Sequence, residues 1–265
     1  MTAPVYELYA IKYAHHERRR SDNFIGGDPH DGPMPMDYFV WLARSPERTF
    51  VIDTGFNADA AARRKREHIR CPTKGLAMLD VDAARVRDVI ITHLHYDHVG
   101  NFDLFPAATF HLQDREMRFA TGRHMCAGVL RHSFDVENVT GMVRAVYGDR
   151  VAFHDGDAEI APGISVHLVG GHTMGLQFVR VRTQRGWVVV ASDASHYYEN
   201  MLERRPYPTV FSVGAMIEGW GRLFALADSR DHVVPGHDPD VLRRYPVARA
   251  GLEGIAVRLD VAPVA

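Results

Sequence analysis

The chain has 265 residues, 46% hydrophobic and 24% charged, which is enough apolar material for a packed core. Its formal net charge is −2 at pH 7 and no basic stripe stands out, so nucleic acid is excluded as the expected partner. No stretch approaches the length of a membrane span, and Met1–Leu8 has neither the basic region nor the apolar region of a signal peptide.

Val5–Tyr13, Tyr38–Ala43 and Thr49–Ile52 are rich in β-branched and aromatic residues and are predicted as strands. Between the first two, residues 15–36 (His15 to Met36) are polar and carry several Gly and Pro residues, which predicts a long loop of the kind that covers a site. Ala58–Ile69 is predicted as a helix capped by Asn57. The basic run Arg63-Arg64-Lys65-Arg66 lies in that pattern and reads as a solvated helix face. A short helix over Asp82–Arg87 leads to a strand over Val89–Thr92, and another strand covers Ala107–Leu112. Gln113–Phe119 and Glu137–Tyr147 are predicted as helices. Four strands follow, Val151–His154, Ile164–Val169, Leu176–Val181 and Trp187–Ala191, separated by turn residues. Val210–Leu226 is predicted as a helix, Asp231–Val234 as a last strand and Val241–Arg244 as a short helix. No linker or repeat divides the chain, so one domain over residues 1–265 is expected. Strands and helices in two halves predict an α/β chain of two packed sheets with helices outside.

Cys71 and Cys126 are the only cysteines, and their separation makes neither a disulfide framework nor a zinc knuckle. A reduced, cytoplasmic setting is expected. The compositional outlier is histidine, with 16 copies. Histidine is the commonest metal ligand.

His93-Leu94-His95-Tyr96-Asp97-His98 follows the strand ending at Thr92. Residues two apart in an extended segment point the same way, so His93 and His95 can reach one ion. Asp97 and His98 follow a bend and are expected to open a helix, from which they can turn toward a second ion. Imidazole and carboxylate together suit zinc, with iron, manganese or cobalt as alternatives. Three later segments each put a candidate ligand directly after a predicted strand: Gly170-Gly171-His172-Thr173, Ser192-Asp193-Ala194 and Pro235-Gly236-His237-Asp238. Sheet ends hold such loops rigidly. The combined set has ligands enough for two divalent transition-metal ions.

This pattern resembles the metallo-β-lactamase superfamily, from Asp53-Thr54-Gly55 through Pro235-Gly236-His237. The resemblance implies an αββα sandwich. It implies that His93, His95 and His172 hold one ion, that Asp97, His98 and His237 hold the other, and that Asp193 bridges them. It also implies that Asp53 orients a ligand imidazole through its other ring nitrogen.

Within the superfamily, Asp193 stands where two-ion class B lactamases carry cysteine or lack the bridge. Glyoxalase II adds a helical C-terminal domain for which the segment after His237 is too short. The tRNA-processing nucleases carry a basic extension, and the flavodiiron proteins an attached flavodoxin domain; neither is read here. The chain is most similar to the N-acyl homoserine lactonase branch. That implies a hydrolase that opens a lactone by attack of a hydroxide bridging the ions, with Asp97 shuttling the proton. The substrate expected is an N-acyl homoserine lactone or a related lactone. Thioesterase or phosphodiester hydrolase activity, or a non-catalytic metal-binding regulatory role, are the alternatives. Phe24, Ile25, Met34, Met36 and Tyr38 are expected to touch the substrate. One departure is that His196 occupies the position of the branch's tyrosine, so His196 or Tyr197 is expected to donate to the oxyanion. A homodimer that uses the loop is a further expectation.

Overall fold

The computed structural model describes residues 4–264. Its strands are Glu7–His16 (β1), Met36–Arg44 (β2), Thr49–Ile52 (β3), Glu67–His68 (β4), Asp88–Ile90 (β5), Thr109–Gln113 (β6), Val151–His154 (β7), Ala158–Ala161 (β8), Ile164–Leu168 (β9), Gln177–Thr183 (β10), Gly186–Ser192 (β11), Val233–Pro235 (β12) and Ala256–Arg258 (β13). One sheet runs β13-β1-β2-β3-β5-β6-β7, with β4 also paired to β1. The other runs β12-β11-β10-β9-β8. Helices flank the pair of sheets, so the expected αββα sandwich is observed.

The strands are apolar on both faces because the sheets are covered on both faces. In β1, Tyr9, Ile11 and Tyr13 join one core with Leu76, Val139 and Met142 of the flanking helices. Their neighbours Leu8 and Ala10 join the other core, which contains Val166, Phe178 and Val190 of the second sheet. In β2, Tyr38, Val40 and Leu42 face the first core, and Phe39, Trp41 and Ala43 the second. Full burial of each large apolar side chain contributes roughly 1.5–3 kcal/mol. Continuous hydrophobic runs, rather than alternation, are therefore what these central strands require.

The topology gathers strand ends at one edge. β3 and β5 are parallel neighbours, as are β11 and β12. β9 and β11 are both antiparallel to β10, so they too run in one direction. Asp53, the His93 motif, His172, Asp193 and His237 all follow C-terminal ends of these strands.

Several sequence expectations are corrected. The helix from Ala58 stops at Arg64, because Lys65 adopts a left-handed conformation with φ of 54°. Asn57 caps it as expected, accepting from the Ala60 N–H at 2.9 Å. The loop over 15–36 is shorter than expected: His15 and His16 end β1, Arg20–Asn23 is a helical turn, and Met36 opens β2. Asp231 and His232 belong to a 3-10 turn that precedes β12. The helix Pro72–Ala77, the strands β8 and β13, and the helix Tyr198–Leu202 were not anticipated. Among the described residues, no helix is long and apolar enough to cross a membrane, and both cysteines are free.

Candidate metal centre

At the edge of the sandwich, His93, His95 and His172 converge. Nε2 of His172 lies 3.1 Å from Nε2 of His93 and 2.9 Å from Nδ1 of His95. One proton can serve only one such pair. A tetrahedral ion with imidazole bonds near 2.0–2.1 Å would set neighbouring nitrogens about 3.3 Å apart, close to this arrangement.

The second group is Asp97, His98 and His237, and Asp193 lies between the two groups. Its Oδ1 is 3.2 Å from Nε2 of His98 and 3.0 Å from Nε2 of His237. Its Oδ2 is 3.2 Å from Nε2 of His172 and 3.9 Å from Nε2 of His93. Each carboxylate oxygen thus faces one group of imidazoles. Nε2 of His98 and Oδ1 of Asp193 are buried without a hydrogen-bond partner. Buried polar atoms left unpaired are costly, and a cation between them removes that cost. The donor set therefore fits two transition-metal ions.

The far nitrogens of three of the rings are engaged. Nδ1 of His98 donates to Oδ2 of Asp53 at 2.7 Å. Nδ1 of His172 donates to the Thr209 carbonyl at 2.7 Å, and Nδ1 of His237 to the Asp37 carbonyl at 2.9 Å. Each such bond fixes the ring's orientation, so its other nitrogen faces the centre. Asp53 is itself held by the N–H and hydroxyl of Thr92, both at 2.8 Å. Asp53 and Ser192 have φ of 60° and 46°, left-handed conformations costing of order 1–3 kcal/mol each, and both flank the centre.

Electrostatics follow from burial and the carboxylates. Burial pushes His93, His95 and His172 below the usual histidine range, so they are neutral and ready to ligate. Burial alone would also lower His98, but Asp193, Asp53 and Asp97 outweigh it and raise it well above that range. Burial opposes ionisation of Asp193, yet the surrounding histidines hold its carboxyl well below the usual range.

A family model described as the metallo-beta-lactamase superfamily matches residues 34–250. The chain belongs to the metallo-beta-lactamase superfamily.

Relatives in the superfamily agree with that placement. The N-acyl homoserine lactonase AttM of Azorhizobium caulinodans is 27% identical over 234 residues, covering 81% of this chain and 86% of the relative. A probable metallo-hydrolase of Mycobacterium tuberculosis is 23% identical over 231 residues, covering 77% of this chain and 72% of the relative. Among solved structures, an N-acyl homoserine lactone hydrolase with N-hexanoyl-L-homoserine bound at its catalytic metal centre shares the fold. Its TM-score is 0.75 at 20% identity, over 92% of this chain and 96% of that one.

The cluster of histidines and aspartates opens on a cleft of about 90 Å³. The other expected site residues divide around it. Met36 and Tyr38 line the cleft, and the Tyr38 ring stands edge-on to His237 at 5.0 Å. Phe24 does not line it: the ring is buried beneath the guanidinium of Arg205, 3.7 Å away. Ile25 is exposed, and Met34 faces a different cavity. The local cause is a square of alternating charges. Arg20 and Arg205 each pair with both Asp28 and Glu199, which fastens this stretch to the helix Tyr198–Leu202.

His196 lines the cleft, with Nε2 at 3.0 Å from Oδ2 of Asp193. Burial lowers its pKa to about 3, so the ring is neutral. It stacks on Tyr207, with ring centroids 3.6 Å apart. Tyr197 faces away from the centre. Its hydroxyl donates toward the backbone carbonyls of Met34 and Pro35, so the expected role at the oxyanion does not fit its position.

Three functional groups went unanticipated. Tyr207 supports His196 and donates its hydroxyl to the Asp193 carbonyl. Glu116 is fully buried and accepts from the Leu94 N–H at 2.9 Å, the Thr173 hydroxyl at 2.6 Å and the Gly175 N–H at 3.1 Å. It joins the two segments that carry His93, His95 and His172, and burial pushes its carboxyl up to about 7. Third, the basic run is not a solvated face: Arg64 and Arg66 line the cleft with Arg18.

Proposed function

We propose that the chain is a dinuclear metal-dependent hydrolase that opens a lactone ring, with an N-acyl homoserine lactone or a related lactone as substrate. The observation that carries this reading is the pair of donor groups sharing Asp193 at the floor of an open cleft. The names of the curated relatives support the lactone as the bond attacked.

In this reading His93, His95 and His172 would hold one ion, Asp97, His98 and His237 would hold the other, and Asp193 would serve both. Two bound ions, with zinc as the first expectation, would supply Lewis acidity and lower the pKa of water. The chain's own residues do the rest. Asp97 takes the proton of the attacking water and returns it to the ring oxygen as the acyl C–O bond breaks. It suits that task because its carboxylate borders the cleft, 3.7 Å from Nε2 of His98 and 3.9 Å from Nε2 of His237. His196 fixes the orientation of Asp193 through Nε2, and the Tyr207 ring holds His196 in plane. Tyr38 and Met36, at the end of the stretch 15–36, form one wall of the substrate site.

The test is a hydrolysis screen on protein of measured metal content. About two ions per chain and ring opening of N-hexanoyl homoserine lactone are expected for a two-ion site. Two ions with turnover of thioesters or phosphodiesters but no lactone would refute the lactonase reading. Clearly fewer than one ion per chain would refute the dinuclear centre.

A further inference from the structure

The cleft above the centre is unusually polar for a site that takes an acyl chain. Met36 is its only aliphatic side chain among the described residues. Its lining includes three guanidiniums, from Arg18, Arg64 and Arg66. Arg64 is paired with Asp135 at 2.9 Å, and Arg63 draws on the same carboxylate. Arg18 and Arg66 have no carboxylate partner among the described residues.

Their positions are fixed by neutral groups. Nε of Arg66 donates to the Tyr96 hydroxyl at 3.3 Å, and Nη1 to the Arg64 carbonyl at 2.8 Å. Nη1 also lies 3.1 Å from Nε2 of His16. Nη2 of Arg18 donates to the Asp22 carbonyl at 2.6 Å. Carboxylates nearby are taken elsewhere: Asp37 holds Lys12 and His15, and Asp22 accepts from the Arg19 N–H. Phenol hydroxyls are uncharged near pH 7, so Tyr38 and Tyr96 leave these guanidiniums without a counter-charge. Arg66 is only partly exposed, and guanidiniums in partial burial bind carboxylates through short, charge-assisted hydrogen bonds. The adjacent residue Tyr96 sits between ligands His95 and Asp97, which puts the unpaired charge within one side chain of the reacting bond.

We propose that Arg18 and Arg66 form an anion subsite, and that the substrate is a compact lactone bearing a carboxylate rather than a long neutral acyl chain. This rests on the lactonase reading above and names the substrate class within it. Arg66 stands on Tyr96, and Arg18 comes from the stretch between β1 and β2. A carboxylate between them sets which face of the ring meets the centre.

The experiment compares γ-butyrolactone bearing a ring carboxylate with its carboxamide analogue, which differs by one charge. The metal-loaded protein is expected to favour the carboxylate by at least about tenfold in kcat/KM, with the preference shrinking at high salt. In Arg66→Gln and, separately, Arg18→Gln, the preference ratio should collapse toward one, and Arg66→Lys should retain part of it. A role of Arg66 in merely holding Tyr96 would slow both lactones alike and leave the ratio unchanged, which overturns the subsite. Turnover of N-hexanoyl homoserine lactone with no preference for the charged ring likewise overturns the subsite while the lactonase reading stands. If no lactone is opened, the lactonase reading fails, and calorimetric titration with cyclopentanecarboxylate still decides the subsite. Binding weakened at least about fivefold in both glutamine variants supports it, and unchanged binding overturns it.

Discussion

Oδ2 of Asp53 accepts from Nδ1 of His98 at 2.7 Å, and neither side chain is reached by solvent. The bond turns Nε2 of His98 toward Oδ1 of Asp193, 3.2 Å away, where it makes no hydrogen bond. Asp53 therefore orients an imidazole of the candidate metal centre from behind, through its far nitrogen.

Asp53→Asn is the informative substitution, because asparagine tolerates the left-handed backbone that Asp53 adopts. It removes the negative charge behind the imidazole. Metal affinity is expected to fall ~10–100-fold, measured by competition with a chromophoric chelator. An affinity equal to wild type would show that Asp53 only shapes its turn.

His196 is placed to steady Asp193, with seven other side chains available to hold ions. His196→Ala is expected to lower kcat at least about tenfold, roughly 1.4 kcal/mol of barrier, with the ion content per chain retained. Turnover at the wild-type rate, or loss of an ion from the purified variant, would contradict that role.

Tyr197→Phe separates a structural tyrosine from a catalytic one. Its hydroxyl meets only the carbonyls of Met34 and Pro35 among backbone partners. Loss of that contact should cost roughly 0.5–1.5 kcal/mol in urea unfolding and leave kcat near wild type. A large fall in kcat with unaltered stability would restore Tyr197 to the chemistry.

Burial, reinforced by the charges of Arg66 and Arg18, lowers the pKa of His16 to about 4 from an ordinary 6.5. As pH falls through 6.5, the unfolded chain takes up this proton and the native chain does not. Stability is therefore lost from pH 6.5 downward, and this contribution levels off near pH 4. Other histidines titrate in the same window, so the comparison is between wild type and His16→Asn. The urea midpoint of the variant should drop less between pH 7 and pH 5; equal drops would rule out His16 as a source.

The convergence of these histidines and aspartates was legible because the pattern is local and repeated. His93, His95, Asp97 and His98 lie in one short run, and His172, Asp193 and His237 each follow a run of strand-forming residues. Other parts left no mark in sequence. Nothing local announces that Lys65, which is not glycine, ends its helix in a left-handed turn, and that turn carries Arg66 to the cleft. Glu116 looks like any acidic residue in a helical first turn. It is buried because Gly175 packs against its backbone, where a side-chain carbon would come within 2.0 Å of the Glu116 nitrogen. Tyr207 meets His196 only through tertiary packing. Phe24 and Ile25 read as substrate contacts because they are apolar residues in a loop, whereas Arg205 covers one and solvent the other.

The square formed by Arg20, Asp28, Glu199 and Arg205 makes the stretch between β1 and β2 a strap rather than a hinged flap. The helix it is tied to begins five residues after Asp193, and the intervening turn is closed by Ser195, whose hydroxyl donates to the Tyr197 carbonyl at 2.8 Å. Tugging on the strap thus tugs on the carboxylate at the heart of the centre. One network of charges thus sets both where Arg18 stands at the cleft and where the turn after Asp193 lies, so a change on the outer surface of the strap is felt at both places.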